Sequence, residues 1–90
     1  MGNLNPKALD ATFNVDDGSV AVEGATITLD YNTETVFAGT TDSNGVHIFE
    51  RIPNYTYNYT VSADGFTDAT GTLDMAGIDQ TVNVTLTVTV

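Results

Sequence analysis

One stretch of this 90-residue chain alternates between apolar and polar side chains, and it restricts the fold more than any other feature. Every second position is apolar, namely Tyr57, Tyr59, Val61 and Ala63, and the positions between them hold asparagine, threonine or serine. Successive side chains of a β-strand point to opposite faces, so this pattern predicts a strand with one buried face and one solvated face. We interpret it as the central strand of a sandwich core.

Six other segments are also predicted as strands, and together they define the fold class. They are residues 8–15, 25–31, 35–41, 46–51, 66–73 and 80–90. These segments are rich in Val, Ile, Thr or Tyr, and turn-forming residues separate them. No segment shows helical periodicity longer than a turn. The sequence therefore predicts an all-β, seven-stranded Greek-key β-sandwich rather than a barrel.

Local turn signals refine this prediction. Asn44-Gly45 separates the third and fourth segments, and this dipeptide is typical of a hairpin because both residues tolerate positive φ. Gly39 interrupts the third segment and indicates either a bulge or a sheet edge. Asn32-Thr33-Glu34 is predicted as another turn, and Tyr31, just before it, is predicted to face inward.

Length and charge indicate one small domain with an acidic surface. Residues 8–90 are predicted to form a single β-sandwich domain, and residues 1–7, which contain Pro6, are predicted to be a disordered lead-in. Twelve Asp and Glu residues oppose only Lys7 and Arg51, giving a net charge of −10. Such a surface repels phosphate backbones and anionic membranes. We therefore expect a monomer that neither binds nucleic acid nor inserts into a membrane.

The residue types that carry catalysis are sparse. The chain has no cysteine, which excludes disulfides and thiol chemistry, and His47 is its only histidine. None of the serines lies in a nucleophile motif. Neighbouring carboxylates such as Asp16 and Asp17 lie in turns, where aspartate is expected anyway. The sequence therefore predicts a protein that is not an enzyme, with no catalytic residue, no cofactor and a structural or surface His47.

Calcium binding remains an alternative function, because hard cations require several oxygen ligands at one site. The loop oxygens that could cluster at one end of the sandwich belong to Asp16, Asp17, Asp42, Asn44, Asp64 and Asp68. No EF-hand loop is present, since the segment that begins at Asp42 has the wrong length and lacks the final glutamate.

Glycan contacts remain open in two ways. The tyrosines at 31, 55, 57 and 59 are a potential stacking platform, although Tyr57 and Tyr59 are expected in the core and only Tyr55 is expected to be exposed. Three triplets fit the N-glycosylation sequon, and they begin at Asn54, Asn58 and Asn83. Their use depends on the host of the protein.

Several motifs occur in a familiar order. Residues 16–18 and 22–29 read D-D-G and V-E-G-A-T-I-T-L, residues 40–45 read T-T-D-S-N-G, and residues 52–53 and 64–66 read I-P and D-G-F. This order resembles the carboxypeptidase regulatory-like family of prealbumin-like domains, which is related to the Cna B-type repeats of bacterial surface proteins. The resemblance covers nearly the whole chain, and it implies a transthyretin-like or immunoglobulin-like sandwich.

The resemblance also implies a function. It suggests a non-catalytic extracellular or cell-surface module, acting as a stalk, spacer or accessory domain of a microbial surface or secreted protein. Its partners would be neighbouring domains of the same polypeptide. The alternative is a binding module that holds calcium, a glycan or a protein ligand at its end loops.

One departure from the related repeats concerns covalent cross-linking. Many Cna B-type repeats form an isopeptide between a lysine of the first strand and an asparagine or aspartate. Here the corresponding region holds Phe13 and Asn14, and Lys7 lies outside the predicted strand. Asn83 resembles the acceptor position, but it has no evident lysine partner. We therefore expect no isopeptide.

Overall fold

The structure is a computed structural model, and it describes residues 9–89. Nine β-strands and no helix occur within this range. The strands are β1 (Leu9–Asp16), β2 (Thr26–Tyr31), β3 (Glu34–Thr40), β4 (Val46–Ile52), β5 (Thr56–Ser62), β6 (Phe66–Thr67), β7 (Ala69–Asp74), β8 (Gln80–Thr85) and β9 (Thr87–Val88). The predicted lead-in of residues 1–7 lies outside the described residues.

The strands form two main sheets and one small sheet. The first sheet has the order β4-β1-β8, the second has the order β3-β2-β5-β7, and β6 pairs with β9. The chain changes between the two main sheets after β1, β3, β4 and β7. The predicted all-β Greek-key sandwich is therefore confirmed, with β4 and β8 at the edges of one sheet and β3 and β7 at the edges of the other.

The prediction of seven strands is wrong, because the last two predicted segments are each divided. Asp68 separates β6 from β7, and Leu86 separates β8 from β9. Leu86 is buried, and its N–H donates to the Asp16 carbonyl at 2.7 Å, which is the last bond to β1 before the chain continues into β9 and pairs with β6. The apolar alternation continues through Leu86, so the sequence pattern alone does not reveal the break.

The prediction of a hairpin at Asn44-Gly45 is also wrong. The turn itself forms, since the Gly45 N–H donates to the Asp42 carbonyl at 2.9 Å and Gly45 has a φ of 75°. However, β3 and β4 belong to different sheets, so the turn is an arch between them. The tight hairpin lies between β2 and β3, where Asn32 and Thr33 have φ values of 54° and 66°.

The alternating tyrosine strand is β5, and it lies in the middle of its sheet as predicted. It pairs with β2 on one side and β7 on the other. Tyr57 and Val61 are buried, Tyr59 is half-buried, and Asn58 on the opposite face is exposed. The phase of the alternation therefore correctly identified the inward face.

Side chains from both sheets meet in one core. The buried apolar residues are Leu9, Ala11, Phe13, Val15, Val22, Ala25, Ile27, Leu29, Phe49, Ile52, Tyr57, Val61, Leu73, Met75, Val84 and Leu86. Phe13 packs edge-to-face against Phe49 and Tyr59, with ring centroids 5.6 and 5.3 Å apart. The hydroxyl of Thr41, also buried, accepts from the Ala25 N–H at 2.9 Å and donates to the Val22 carbonyl at 2.6 Å.

The first long strand and the last long strand lie side by side. β1 pairs with β8 in parallel, from Ala11 opposite Gln80 to Asp16 opposite Thr85. The chain therefore enters the sandwich at one end and leaves it at the other. We call these the leading end, which contains Leu9, the turn at 32–33 and the segment 53–55, and the trailing end, which contains Asp16, the turn at 42–45 and β9.

Candidate functional site

The leading end contains an apolar groove of about 230 Å³, which we call the tyrosine groove. It is lined by Tyr31, Val36, Phe37, Pro53, Tyr55 and Tyr57. Tyr31 ends β2, and Tyr55 is the last residue of the segment that crosses from β4 to β5. The rings of Tyr31 and Tyr55 stack with centroids 4.6 Å apart and planes inclined by 16°. This pair forms one wall of the groove.

The groove is a place where the core reaches the surface. Phe37 is half-buried and Tyr57 is buried, whereas Tyr31, Val36 and Tyr55 are 37%, 44% and 47% exposed. Val36 projects here because it is the extra residue of a β-bulge in the edge strand β3: its neighbours Thr35 and Phe37 pair with β2, and Val36 has no partner there. An apolar surface that remains exposed in this way is a candidate contact surface.

Polar groups contribute little to the groove. The Tyr57 hydroxyl already donates to the Pro53 carbonyl at 2.9 Å. Burial raises the pKa of Tyr57, and the nearby phenols of Tyr55 and Tyr31 raise it further. The groove therefore offers ring faces and aliphatic surface, with the hydroxyls of Tyr31 and Tyr55 as its other polar side-chain atoms. Such a lining suits an apolar side chain better than a ligand with many hydrogen-bonding groups.

The sequence predicted part of this site. The exposure of Tyr55 and the burial of Tyr57 are confirmed. The Tyr31 ring lies on the inward face as predicted, with its centroid 6.2 Å from that of Tyr57, but it is 37% exposed because β2 extends beyond the core at its last residue. Val36 and Pro53 were not identified as site residues, and Gly39 was the predicted position of a bulge or edge. Gly39 does lie in an edge strand, but the bulge occurs three residues earlier, where no glycine marks it.

The six residues proposed as calcium ligands all belong to the trailing end. Their carboxylates mainly serve the local backbone: Asp17 Oδ1 accepts from the N–H groups of Ser19 and Val20, each at 2.9 Å. These two bonds hold the pKa of Asp17 below its ordinary value, and the bond from Val20 has the larger effect. Asp42 Oδ1 likewise accepts from Asn44 N–H at 2.9 Å. Aspartates in such positions stabilise turns.

The remaining carboxylates do not complete a metal site. Asp16 Oδ1 accepts from the Thr85 hydroxyl at 3.1 Å, which links the last residue of β1 to the last residue of β8. Asp64 and Asp68 line an open cleft of about 560 Å³ together with Glu23. Over residues 9–89, no three carboxylate or histidine side chains are grouped so that they could hold one metal ion. The fold brings the predicted loops to one end, but it does not assemble a ligand set there.

His47 faces the interior of the sandwich at the edge formed by β3 and β4. Its ring lies where a β-carbon on Gly39 would be, and it packs edge-on against Phe49 with centroids 4.5 Å apart. These contacts give the histidine a packing role, in agreement with the structural role predicted for it.

The asparagines of interest lie on the surface. Asn83 Oδ1 accepts from Asn14 Nδ2 at 3.1 Å on the outer face of the β1–β8 pair. Arg51 is the one lysine or arginine among the described residues, so no described lysine faces Asn83. Asn54, Asn58 and Asn83 are all exposed. Glycosylation at these three positions stays a prediction that depends on the host.

Comparison with known proteins gives a family match over most of the chain. Residues 15–89 match the family model described as the carboxypeptidase regulatory-like domain. A comparison with curated protein sequences found no match. The part of the chain that the structure describes contains no helix long and apolar enough to cross a membrane.

Three solved structures show the same fold. The Bacillus anthracis TIE protein superposes with a TM-score of 0.72 and 18% identity, over 88% of this chain and 17% of that chain. The major pilin subunit of Bacillus cereus superposes with a TM-score of 0.59 and 18% identity, over 94% of this chain and 31% of that chain. A 5-hydroxyisourate hydrolase of Klebsiella pneumoniae superposes with a TM-score of 0.58 and 17% identity, over 82% of this chain and 89% of that chain. This chain thus corresponds to a small part of the first two proteins.

Proposed function

Because the chain belongs to the carboxypeptidase regulatory-like family, we propose that it is a non-catalytic module that holds neighbouring domains of a microbial surface or secreted protein apart. Its fold recurs within a much longer pilin subunit, which supports placement at the cell surface or outside the cell. The hydrolase with the same fold is 17% identical, so it transfers no activity to this chain.

One observation carries this proposal, namely the parallel pairing of β1 with β8. Since the two strands run in the same direction, a domain joined before β1 and a domain joined after β9 extend from opposite ends. The eight residues of β1 alone separate those ends by about 26 Å, at about 3.3 Å per residue. A module with both ends on one side would add much less length.

The same pairing suits a module under tension. A force on the two ends pulls β1 and β8 in opposite directions along their axes. The six register pairs between them are then loaded together rather than one after another. The two-residue β6–β9 pair lies nearer the end of the chain and is expected to open first.

Single-molecule force spectroscopy tests the proposal through two pulling directions. The first uses the two termini, which shears β1 against β8. The second uses the N-terminus and a cysteine introduced by Asn54→Cys, a unique thiol in a chain without cysteine. Because Leu9 lies opposite Ile52 in the antiparallel β1–β4 pair, this direction peels the pair open from the leading end.

We expect the terminal pull to require a severalfold higher unfolding force than the peeling pull. Unfolding residues 9–89 should release a contour length of about 290 Å, before the folded length is subtracted. Asn54→Cys removes the oxygen that accepts from the Gly77 N–H at 2.9 Å, so both pulling directions are measured in the Asn54→Cys protein and this loss is common to the two forces. Equal forces in the two directions would contradict a load-bearing role.

Protein binding is a second candidate function, and the tyrosine groove favours it. The groove is smaller than the roughly 300–1,000 Å³ of a small-molecule site. Its lining leaves few partners for sugar hydroxyls, whereas an apolar side chain requires none. A side chain from a protein partner therefore suits the groove better than a glycan does.

A further inference from the structure

We propose that Asn44-Gly45 is a latent modification site, which deamidates when the arch between β3 and β4 opens and is held unreactive while the arch is closed. In this reaction the backbone nitrogen of Gly45 loses its proton and attacks the side-chain carbonyl carbon of Asn44. The new N–Cγ bond replaces the Cγ–Nδ2 bond, and the amide nitrogen leaves as ammonia. Water then opens the cyclic imide, at Cγ to give aspartate or at the backbone carbonyl to give isoaspartate.

The sequence places the most reactive pair for this chemistry at the arch. Asn44 is the one asparagine of the chain that is followed by glycine, and every other asparagine precedes a residue with a β-carbon. A β-carbon crowds the attacking nitrogen, whereas glycine leaves it accessible and lets the backbone turn towards the side chain. In the unfolded chain the reaction should therefore occur first at Asn44.

The closed arch engages the nitrogen that would attack. The Gly45 N–H donates to the Asp42 carbonyl at 2.9 Å, and the Gly45 carbonyl accepts from the Val15 N–H at 2.8 Å. Gly45 is buried, and a β-carbon placed on it would overlap the Val15 carbonyl oxygen. The N–H of Asn44 is held as well, by Asp42 Oδ1 at 2.9 Å. The Gly45 nitrogen therefore cannot lose its proton and approach the Asn44 side chain until these bonds break.

A second turn of the trailing end lacks this protection. Asp64-Gly65 follows β5, and Gly65 is exposed with a φ of 85°. The Gly65 carbonyl accepts from the Thr89 N–H at 2.9 Å, but its own N–H has no hydrogen-bond partner among residues 9–89. A β-carbon on Gly65 would meet no atom within 4 Å. Asp64→Asn therefore creates an asparagine-glycine pair that is free to react in the folded protein.

Reaction at Asn44 would also prevent the arch from closing again. Isoaspartate carries the main chain through its side-chain carbonyl, which inserts an extra carbon atom ahead of Gly45. The close packing of Gly45 against the Val15 carbonyl leaves no room for such a shift. Aspartate, in contrast, leaves the backbone unchanged, and position 44 is exposed. The isoaspartate form is therefore a lasting record that the arch has opened.

Peptide mapping by mass spectrometry measures the deamidation rate of each asparagine in the 90-residue chain at mildly alkaline pH. The rates are compared in native buffer and in guanidinium chloride that unfolds the protein. Asn44 should react at least about tenfold more slowly in the folded protein, because the reaction requires local opening. In the Asp64→Asn protein the new pair should react in native buffer at a rate close to that in denaturant, while Asn44 of the same molecules stays protected.

Two results would overturn the protection. One is an equal rate at Asn44 in the folded and the unfolded protein. The other is equal protection of both pairs in the folded Asp64→Asn protein, because the slow reaction would then be a general effect of folding and not of the bonds in the arch.

The lasting effect has its own test. Molecules that formed isoaspartate at position 44 while unfolded are separated by chromatography, transferred to native buffer and melted. They should melt at a lower temperature than the parent chain, whereas Asn44→Asp, which adds the same charge without the extra carbon atom, should melt close to the parent chain. Equal melting of the isoaspartate form and the parent chain would show that the arch can still close and would overturn this part of the proposal.

Discussion

The edge of the sandwich between β3 and β4 is closed by a histidine that occupies the place of a missing side chain. A β-carbon on Gly39 would overlap the Nε2 and Cε1 atoms of His47. The ring also packs edge-on against Phe49, with centroids 4.5 Å apart, so it can leave only by moving out of the sandwich. We therefore expect Gly39→Ala to destabilise the protein, although alanine is ordinarily the better strand residue.

The expected loss of stability on Gly39→Ala is the difference between two opposing effects. Forcing one methyl group into a packed site costs about 1–3 kcal/mol, which includes the loss of the contact with Phe49. Replacing glycine by alanine within a strand stabilises the fold by about 0.5–1 kcal/mol, because it lowers the conformational entropy of the unfolded chain. The net loss for Gly39→Ala is then about 1–2 kcal/mol, or a fall in Tm of about 5–15 °C for a domain of this size.

A double-mutant cycle tests the prediction more strictly, because the effect of Gly39→Ala on stability should change sign when the His47 ring is absent. In a His47→Ala background the new methyl group has room, so Gly39→Ala should stabilise by about 0.5–1 kcal/mol. The coupling between the two substitutions is therefore about 2 kcal/mol or more. Urea unfolding of the four proteins at neutral pH measures it directly.

The outer face of β4 supplies the control for this cycle. Ile48 lies beside His47 in the chain, but it is 46% exposed. Gly39→Ala and Ile48→Ala should therefore act additively, within about 0.5 kcal/mol. If Gly39→Ala has the same effect with and without the imidazole, the ring does not fill the space above Gly39, and the packing argument is refuted.

Two further predictions concern the buried polar groups. Thr41→Val leaves the Ala25 N–H and the Val22 carbonyl without their partner and should lower the free energy of unfolding by about 1–3 kcal/mol in urea melts. The exposed Thr40→Val should stay within about 0.5 kcal/mol, and equal losses would contradict this role. Burial raises the pKa of Tyr57 above the ordinary value of 10.0, so stability should be constant below pH 10 and fall as the pH rises through the folded-state pKa. Tyr57→Phe should lose less stability than the parent chain above pH 10, and identical stability–pH profiles for the two proteins would exclude a contribution from Tyr57.

The strand alternation predicted which side chains face the core, because it depends only on the local backbone. Tyr57 and Val61 are buried as their phase required. Pairing partners did not follow from the sequence. Asn44-Gly45 indicates a turn with positive φ, but that conformation serves an arch as well as a hairpin. The break at Leu86 was hidden because its side chain keeps the inward phase, although the chain after it leaves β1 and pairs with β6.

The candidate site was predicted less well, for a related physical reason. Alternation gives the phase of a strand but not the point at which the core ends, so Tyr31 was assigned to the interior although it is 37% exposed. Val36 reaches the groove through a bulge, which depends on how β2 and β3 are matched in length. Tyr55 was identified because the family that the sequence resembles has no inward counterpart at this position.

The β1–β8 pair also has a consequence for how the chain acquires its structure. The side chains of Asn14 and Asn83, which bond across this pair, are 69 positions apart in sequence. Contacts of such long range form slowly, and during synthesis β1 is complete long before its parallel partner exists. Until β8 has been made, β4 is the one long strand beside which β1 can lie in its sheet. The β4–β1 pair is therefore expected to form first and the β1–β8 pair last, so the strand pair that joins the two ends of the fold is also the one that completes it.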